Sequence, residues 1–504
     1  MLHILTCYEG QDGMKKVILL LVDSLMPHLL ESCIQKKSIP ALQFLKERGR
    51  YWPEFVTVFP TMTASVDSSL LTGVYPNVHR VPGIIWFHPQ EQRVIDYWNG
   101  WRCAWKLGLT ACTRNVLYHL NENHLSEGVT TLFEELEDRG KKTASINALV
   151  HRGRKKHRIK FPFLLNVLSG FRLNGEISGP EILTFGTLAQ NNLNRAIPRY
   201  LKGWRKFCGF NDSYAVQAAK TLILSKDQPD FMLVYLPDND HEVHKKNPDH
   251  AERSLIRVDR HIQELLNAFG SWEEAIVQCV FIIIGDHGQT RIGPNKEYTI
   301  NLDHLLRPFR VLQLGEEVGD HDLVVCNNER SAYLYPLKKG KQEEMVQQLM
   351  TEERIDLIAW KKDRGVVVKQ GGSRGELYFA PGGSHVDIYG SKWTIVGEPA
   401  VLDLRVHQGT IHYGDYPDAL SRLFGALYSQ EIPMIVITAR PRYEFFCRYY
   451  PKHLNGGCHG SLHKYDSLIP LMIAGTEHPI NEPPRLIDLK PFILGLFETV
   501  SPMG

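Results

Sequence analysis

Three continuous apolar runs, at residues 17–22, 231–236 and 280–284, constrain this chain more than any other feature. They lack the alternation of a strand with one wet face, so they predict strands covered on both sides, as in a mostly parallel sheet. A fourth run at 434–438 reads the same way. Helical patterns fall between them, at 41–48, 132–139, 214–225 and 251–269. Strand alternating with helix predicts an α/β sandwich, whose binding groups collect at the carboxyl ends of the strands. Asp23, Asp240 and Asp286 all follow such runs.

The 504 residues, 43% hydrophobic and 23% charged, suit a globular protein of two or three domains, or one large domain with insertions. The 58 basic residues nearly balance the 56 acidic ones, leaving +2, so no global field draws the chain to nucleic acid or membrane. No run approaches the roughly 18 apolar residues of a membrane span. Glu9 and Asp12 interrupt the N-terminus, which does not read as a secretion signal, and residues 1–13 read as a peripheral leader. The nine cysteines are scattered and contain no CxxC pair, which predicts free thiols, a reducing compartment and a cytoplasmic location. Oligomeric state has no sequence signal.

The expected organisation is a catalytic α/β core over 14–320, an inserted α+β cap over 321–415, and a completing core segment over 416–504. A basic and aromatic stretch at about 100–215 reads as a second addition. Within it, His151-Arg152-Gly153-Arg154-Lys155-Lys156-His157-Arg158 is a solvated surface loop on the plainer reading. On the other it is an electrostatic funnel for a polyanionic substrate.

Several separated segments offer oxygen or imidazole groups. An Asp after a strand ordinarily forms a turn or caps a helix, so Asp23 alone says little. Thr63 in Pro60-Thr61-Met62-Thr63-Ala64-Ser65 reads as a helix N-cap, or as a hydroxyl where helix N–H groups favour an anion. A hydroxyl so placed can attack phosphorus if a metal stabilises its alkoxide. Asp240 and His244 share one face if their segment is helical and could bind one ion, with Asp238 and His241 as competitors. Asp286-His287-Gly288 directly follows buried residues, where unpaired polar groups are costly. His459 lies in Gly456-Gly457-Cys458-His459-Gly460, whose glycines let the backbone approach closely.

In order, these motifs (Asp, Thr, Asp-xxx-His, Asp-His-Gly, His-Gly) resemble the alkaline phosphatase superfamily, most closely its type I phosphodiesterase/nucleotide pyrophosphatase family. The resemblance spans residues 17–475. It implies an alkaline phosphatase-like α/β/α sandwich and a two-zinc site, with manganese also suited to these ligands. Asp240, His244 and His459 would hold one ion; Asp23, Asp286 and His287 would hold the other, with Thr63 as exchangeable ligand. Asp240 is preferred to Asp238 because the family pattern is Asp-xxx-His-xx-Gly-Pro, and Pro248 keeps its place while Asn247 replaces Gly. Two ions about 4 Å apart would clamp a phosphoryl group. Thr63 would then carry a phospho-threonine intermediate in the hydrolysis of a phosphodiester or pyrophosphate of a small phosphorylated substrate.

The chain also departs from the family. Thr63-Ala64-Ser65-Val66 replaces Thr-Phe-Pro-Asn, and Pro82-Gly83-Ile84-Ile85-Trp86 lacks the expected phosphate-binding Asn, so nucleotide specificity does not carry over. Trp86 and Phe87 read as core before pocket lining. A phosphomonoesterase or phosphonate hydrolase is the runner-up, and a catalytically silent binding protein is the reading from another class. A sulfatase lacks its C/S-x-P-x-R motif here, and a cofactor-independent phosphoglycerate mutase would need a Ser nucleophile.

Overall fold

In the computed structural model, residues 15–498 are described apart from 190, 192, 203–207 and 226. The leader over 1–13 lies outside them.

The central sheet has seven strands: β1 (Lys16–Val22), β2 (Gly49–Val56), β3 (Thr143–Ile146), β4 (Ile182–Thr184), β5 (Phe231–Leu236), β6 (Cys279–Gly285) and β7 (Leu468–Ala474). They lie in the order β2-β7-β6-β1-β5-β3-β4. β1 pairs in parallel with β5 and β6, and β3 in parallel with β4 and β5. β7 runs antiparallel to β2 and β6.

The apolar runs follow from this burial. Successive side chains of a strand point to opposite faces, so Val17, Leu19 and Leu21 enter one core while Ile18, Leu20 and Val22 enter another. Phe231, Leu233 and Tyr235 likewise separate from Met232, Val234 and Leu236. Helices cover both faces, giving the α/β/α sandwich that the sequence pattern predicts.

A second, ten-stranded sheet packs beside the first. It contains the hairpin Leu323–Asn328/Ser331–Pro336 and the strand Ile435–Ala439. The expectation that the run at 434–438 joins the parallel sheet is therefore corrected: Ile435–Ala439 is antiparallel to both its neighbours. An interior antiparallel strand covered on both faces also reads as a continuous apolar run, so the run alone does not give direction. Residues 100–215 supply two strands of the central sheet, β3 and β4, as well as surface elements.

The basic run is not a bare loop. Lys155–Ile159 pairs as a strand with Gly175–Gly179, and His151 is buried. Arg152 and Arg154 meet Glu134, Lys155 meets Glu181, Lys156 meets Glu122 and Arg158 meets Glu176. Charges neutralised in this way make a poor funnel. Trp86 and Phe87 are buried core residues, as the plainer reading expects.

Two buried polar contacts fix the elements that carry the site. Arg330, fully buried, pairs with the equally buried Asp466 at 2.5 Å and donates to the Ala439 and Tyr443 carbonyls. It thereby ties the second sheet to the loop before β7. Helix α1 (Thr63–Thr72) is anchored through Ser69, whose hydroxyl lies 2.9 Å from His79 Nε2, while the Val81 N–H donates to His79 Nδ1. Burial pushes the His79 imidazole down to about 3.

Replacing Arg330 with Leu strands the Asp466 carboxylate and is expected to cost about 3–5 kcal/mol in denaturant unfolding. His79 is neutral in the folded chain, so its contribution is complete above about pH 6.5. It is lost as pH falls from there toward 3, because the unfolded chain takes up the proton first. The unfolding midpoint of His79→Gln should therefore fall less steeply between pH 6.5 and 4 than that of the wild type.

Candidate metal centre

Strand register assembles the site. Val22 lies opposite Gly285 of β6 and opposite Leu236 of β5, so three chains end side by side. Asp23 and Asp286 emerge together, and helix α2 (Asp238–Lys245) starts beside them. Asp240 and His244, one turn apart, stand 3.2 Å from each other, Oδ1 to Nε2. Asp238 and His241 turn elsewhere: Asp238 exchanges hydrogen bonds with Asp212, and His241 is exposed beside Lys245.

The late histidine is brought in by a short ladder, in which Thr290–Arg291 pairs with Gly457–Cys458. The glycines are required here: a Cβ on Gly456 would meet the His244 carbonyl at 2.0 Å, and Gly460, at φ +107°, packs against the Asn328 carbonyl. His459 then stacks on His287 with ring centroids 3.6 Å apart. Its Nε2 lies 3.9 Å from Asp240 Oδ1. Thr63 opens α1 and donates to Asp286 Oδ2 at 3.3 Å. The seven sequence-predicted residues thus converge in one place.

Their orientation decides what they can hold. His244 Nδ1 contacts the Gly457 carbonyl at 2.9 Å and His459 Nδ1 the Thr61 carbonyl at 2.6 Å. His287 Nδ1 lies 3.2 Å from the Gly288 carbonyl. Each Nε2 faces carboxylates instead: His287 Nε2 is 3.2 Å from Asp286 and 3.5 Å from Asp23. A ligating imidazole is typically held by its second nitrogen in this way. Asp23 Oδ1 and His287 Nε2 are buried with no hydrogen-bond partner, a costly state that a cation between them would relieve. Asp23, Asp286 and His287 form one group of close donor atoms, and Asp240, His244 and His459 another. Oxygen and nitrogen donors in this number fit a divalent ion.

The electrostatics agree. Burial, then Asp286 and Asp240, raise the Asp23 carboxyl well above its usual value. Burial also opposes ionisation of Asp240, but His244, His459 and His287 hold it well below the usual carboxylate range. Burial lowers His244, but Asp240 and Glu329 together more than reverse this, raising it to about 10. Burial, with His287 next, pushes His459 down to about 3.

Several contributors had little sequence signal. The Tyr235 hydroxyl donates to Asp23 Oδ2. Ser24, at φ +57°, donates to Asp240 Oδ1 at 2.7 Å, as Gln289 does at 2.6 Å. Asp67, one turn after Thr63, is raised to about 8 by burial and by Asp286. Glu329 borders His459, and its carboxyl is held at about 2: burial raises it, but His459, His453 and His244 outweigh that. The adjacency of Ser24 to Asp23, and of Gln289 to Asp286-His287-Gly288, was the available clue.

The family model for type I phosphodiesterase / nucleotide pyrophosphatase matches residues 17–462. The chain belongs to that family. Family membership supports a phosphoric ester hydrolase of a metallo-hydrolase type. The fold is shared with murine ectonucleotide pyrophosphatase / phosphodiesterase 5, solved as an inactive form with AMP, at 13% identity and TM-score 0.56 over 96% of this chain and 94% of that one. The human counterpart matches at 14% and 0.56, over 96% and 94%. Phosphonoacetate hydrolase from Sinorhizobium meliloti, solved with phosphonoformate, matches at 16% and 0.55, over 97% and 98%. Among curated proteins, none matches the chain by sequence. Among the described residues, no helix is long and apolar enough to cross a membrane. The eight described cysteines are free.

Titrating zinc or manganese into metal-free protein should raise its melting temperature. The expected stabilisation is roughly 2.7 kcal/mol per site at a free cation concentration one hundred times Kd. His287→Ala removes a donor from the Asp23, Asp286 and His287 group and should lower the metal bound per chain, read by elemental analysis.

Proposed function

We propose that this protein hydrolyses a phosphodiester or pyrophosphate bond of a small phosphorylated substrate, with Thr63 as nucleophile at a two-zinc centre. The observation that carries the reading is the set of three imidazoles, each with Nδ1 tied to a backbone oxygen and Nε2 turned to carboxylates, beside a threonine hydroxyl at a helix start. Asp240, His244 and His459 would hold one ion, and Asp23, Asp286 and His287 the other. Bound there, the ions supply Lewis-acid stabilisation of charge developing on phosphoryl and attacking oxygens.

The residues of the chain account for the rest. Thr63 sits at the positive end of α1, where the dipole favours an anionic phosphoryl group. Its hydroxyl points its hydrogen at Asp286 Oδ2, leaving an oxygen lone pair for attack. The Thr63 Oγ1–phosphorus bond forms as the leaving oxygen departs with its electron pair, and the Oγ1 proton passes to Asp286 Oδ2 and from there to solvent. Water then attacks the same phosphorus, the Oγ1–phosphorus bond breaks with its electron pair going to Oγ1, and a proton from that water restores the hydroxyl. Tyr235 and Ser24 hold the carboxylates of Asp23 and Asp240 in place. Differences between substrates are read by the inserted regions, including the cap over 321–415. With its free cysteines the chain suits a reducing, cytoplasmic setting.

Hydrolysis of bis- and mono-nitrophenyl phosphate by wild type and Thr63→Ala tests this. The variant should lose turnover by on the order of a thousandfold or more while retaining its metal. Undiminished turnover would remove Thr63 from the nucleophile role. A preference for the monoester, or for a phosphonate, would move the substrate class to the runner-up. A wild type that binds metal and hydrolyses none of these would favour a silent binding protein.

A further inference from the structure

One positively charged pocket lies outside the seven residues of the metal centre. It has a volume of about 430 Å³, and Arg93, Arg114, His119 and Arg172 line it together with Asn115. Among the described residues, no Asp or Glu lines it. That is a sharp local departure in a chain whose 58 basic and 56 acidic residues nearly cancel.

Separate stretches of chain deliver these groups. Arg93 opens the second strand of the hairpin Ile85–His88/Arg93–Asp96, and Arg114 ends the helix Leu109–Arg114. Asn115 and His119 belong to the π-helical segment Asn115–His124, and Arg172 lies in the turn before the strand Gly175–Gly179. A π-wound segment is rare and recurs at functional positions.

The arginines are held in place. Arg114 donates to the Arg172 carbonyl at 2.7 Å and lies over the Tyr118 ring, 5.0 Å from its centroid. Tyr118 in turn donates to the Leu173 carbonyl at 2.8 Å, so the turn carrying Arg172 is tied twice to the helical segment. Arg93 pairs with Glu91 at 2.6 Å. Among the described residues, neither Arg114 nor Arg172 pairs with a carboxylate, whereas every Lys and Arg of the basic run at 151–158 meets a glutamate.

Two further observations bear on what the pocket takes. Asn115 is 2% exposed, and its Oδ1 is buried without a hydrogen-bond partner while its Nδ2 donates to the Asp96 carbonyl at 3.2 Å. His124 lies beyond His119, ring centroids 5.8 Å apart; burial, then His119, His88 and Arg93, push its imidazole down to about 3. The positive field of the cluster thus reaches its buried neighbour, and an anion in the pocket relieves it.

We propose that this pocket binds a phosphate group, free or esterified to a small hydroxylated molecule, at a second site built from none of the metal ligands. Guanidinium forks match phosphate oxygens in paired, charge-assisted hydrogen bonds. A cleft lined by one sign of charge also concentrates counter-ions. The pocket admits a phosphate with a short alcohol attached, whose hydroxyl is the donor that Asn115 Oδ1 lacks. The site does not depend on the two-cation reading.

The test is equilibrium dialysis of the full chain, freed of metal and then of chelator, against labelled inorganic phosphate and against glycerol phosphate. Wild type should bind one phosphate group per chain, less tightly as salt rises. Arg114→Gln and Arg172→Gln should each weaken binding by about tenfold or more. Arg172 is exposed, so its variant carries the test if Arg114→Gln does not fold. His287→Ala, altered at the metal centre, should bind as wild type does. Tighter binding of glycerol phosphate, lost in Asn115→Ala, supports the site with an esterified ligand; equal or weaker binding supports it with free phosphate. No binding by wild type, or equal affinity in wild type and Arg172→Gln, would overturn the inference. Binding lost in His287→Ala and kept in both arginine variants would also overturn it, moving the phosphate to the metal centre.

Discussion

The buried pair between Arg330 and Asp466 is the contact on which the arrangement of the site depends. Neither side chain reaches solvent. Asp466 also accepts from the Thr290 hydroxyl and the Ser461 N–H, while the Arg330 backbone N–H donates to the His459 carbonyl. One ion pair therefore touches the stretch after His287, the loop carrying His459 and the hairpin carrying Glu329. An isolated pair of this kind gains little against its desolvation. Its value here is geometric: the remaining donors and acceptors are all satisfied by segments that must meet.

The balance of charge at the centre extends the same logic. Asp23, Asp240 and Asp286 crowd together with imidazoles as the basic side chains beside them, and burial, then the two neighbouring carboxylates, raises Asp23. The imidazoles are themselves stacked, His459 on His287, and burial, with His287 next, opposes proton uptake by His459. Protein groups alone leave orphaned donors and acceptors at the Asp23–His287 position. The polypeptide has been folded around a demand for positive charge that its own side chains do not meet.

Much of this was legible in the sequence. The runs at 17–22, 231–236 and 280–284 announce doubly covered strands, and the polar residues that follow them mark the strand ends where the groups collect. Asp240 and His244 could be paired by helical spacing, but preferring Asp240 to Asp238 needed the family pattern; the contact of Asp238 with Asp212 is tertiary and leaves no local trace. Strand direction at 434–438 was not legible, because an apolar run records burial and not the neighbour's sense. The basic run gave a misleading cue for the same reason: its partners Glu134, Glu122, Glu176 and Glu181 are distant or on another strand. Glu329 carried no signal at all, since a glutamate in a hairpin tip ordinarily faces water.

The position of β7 has a consequence for how the protein comes into being. In the sheet it lies between β2 and β6, although it is the last of the seven strands in the chain. Until it is synthesised, β2 has no place beside β6, and both present unpaired edges of the kind that invite wrong partners. His459 lies just ahead of it and arrives at the same moment. A growing chain on the ribosome therefore holds Thr63 and half of its neighbours long before His459 can join them. Closing the sheet and completing the cluster both wait on the same late stretch of chain.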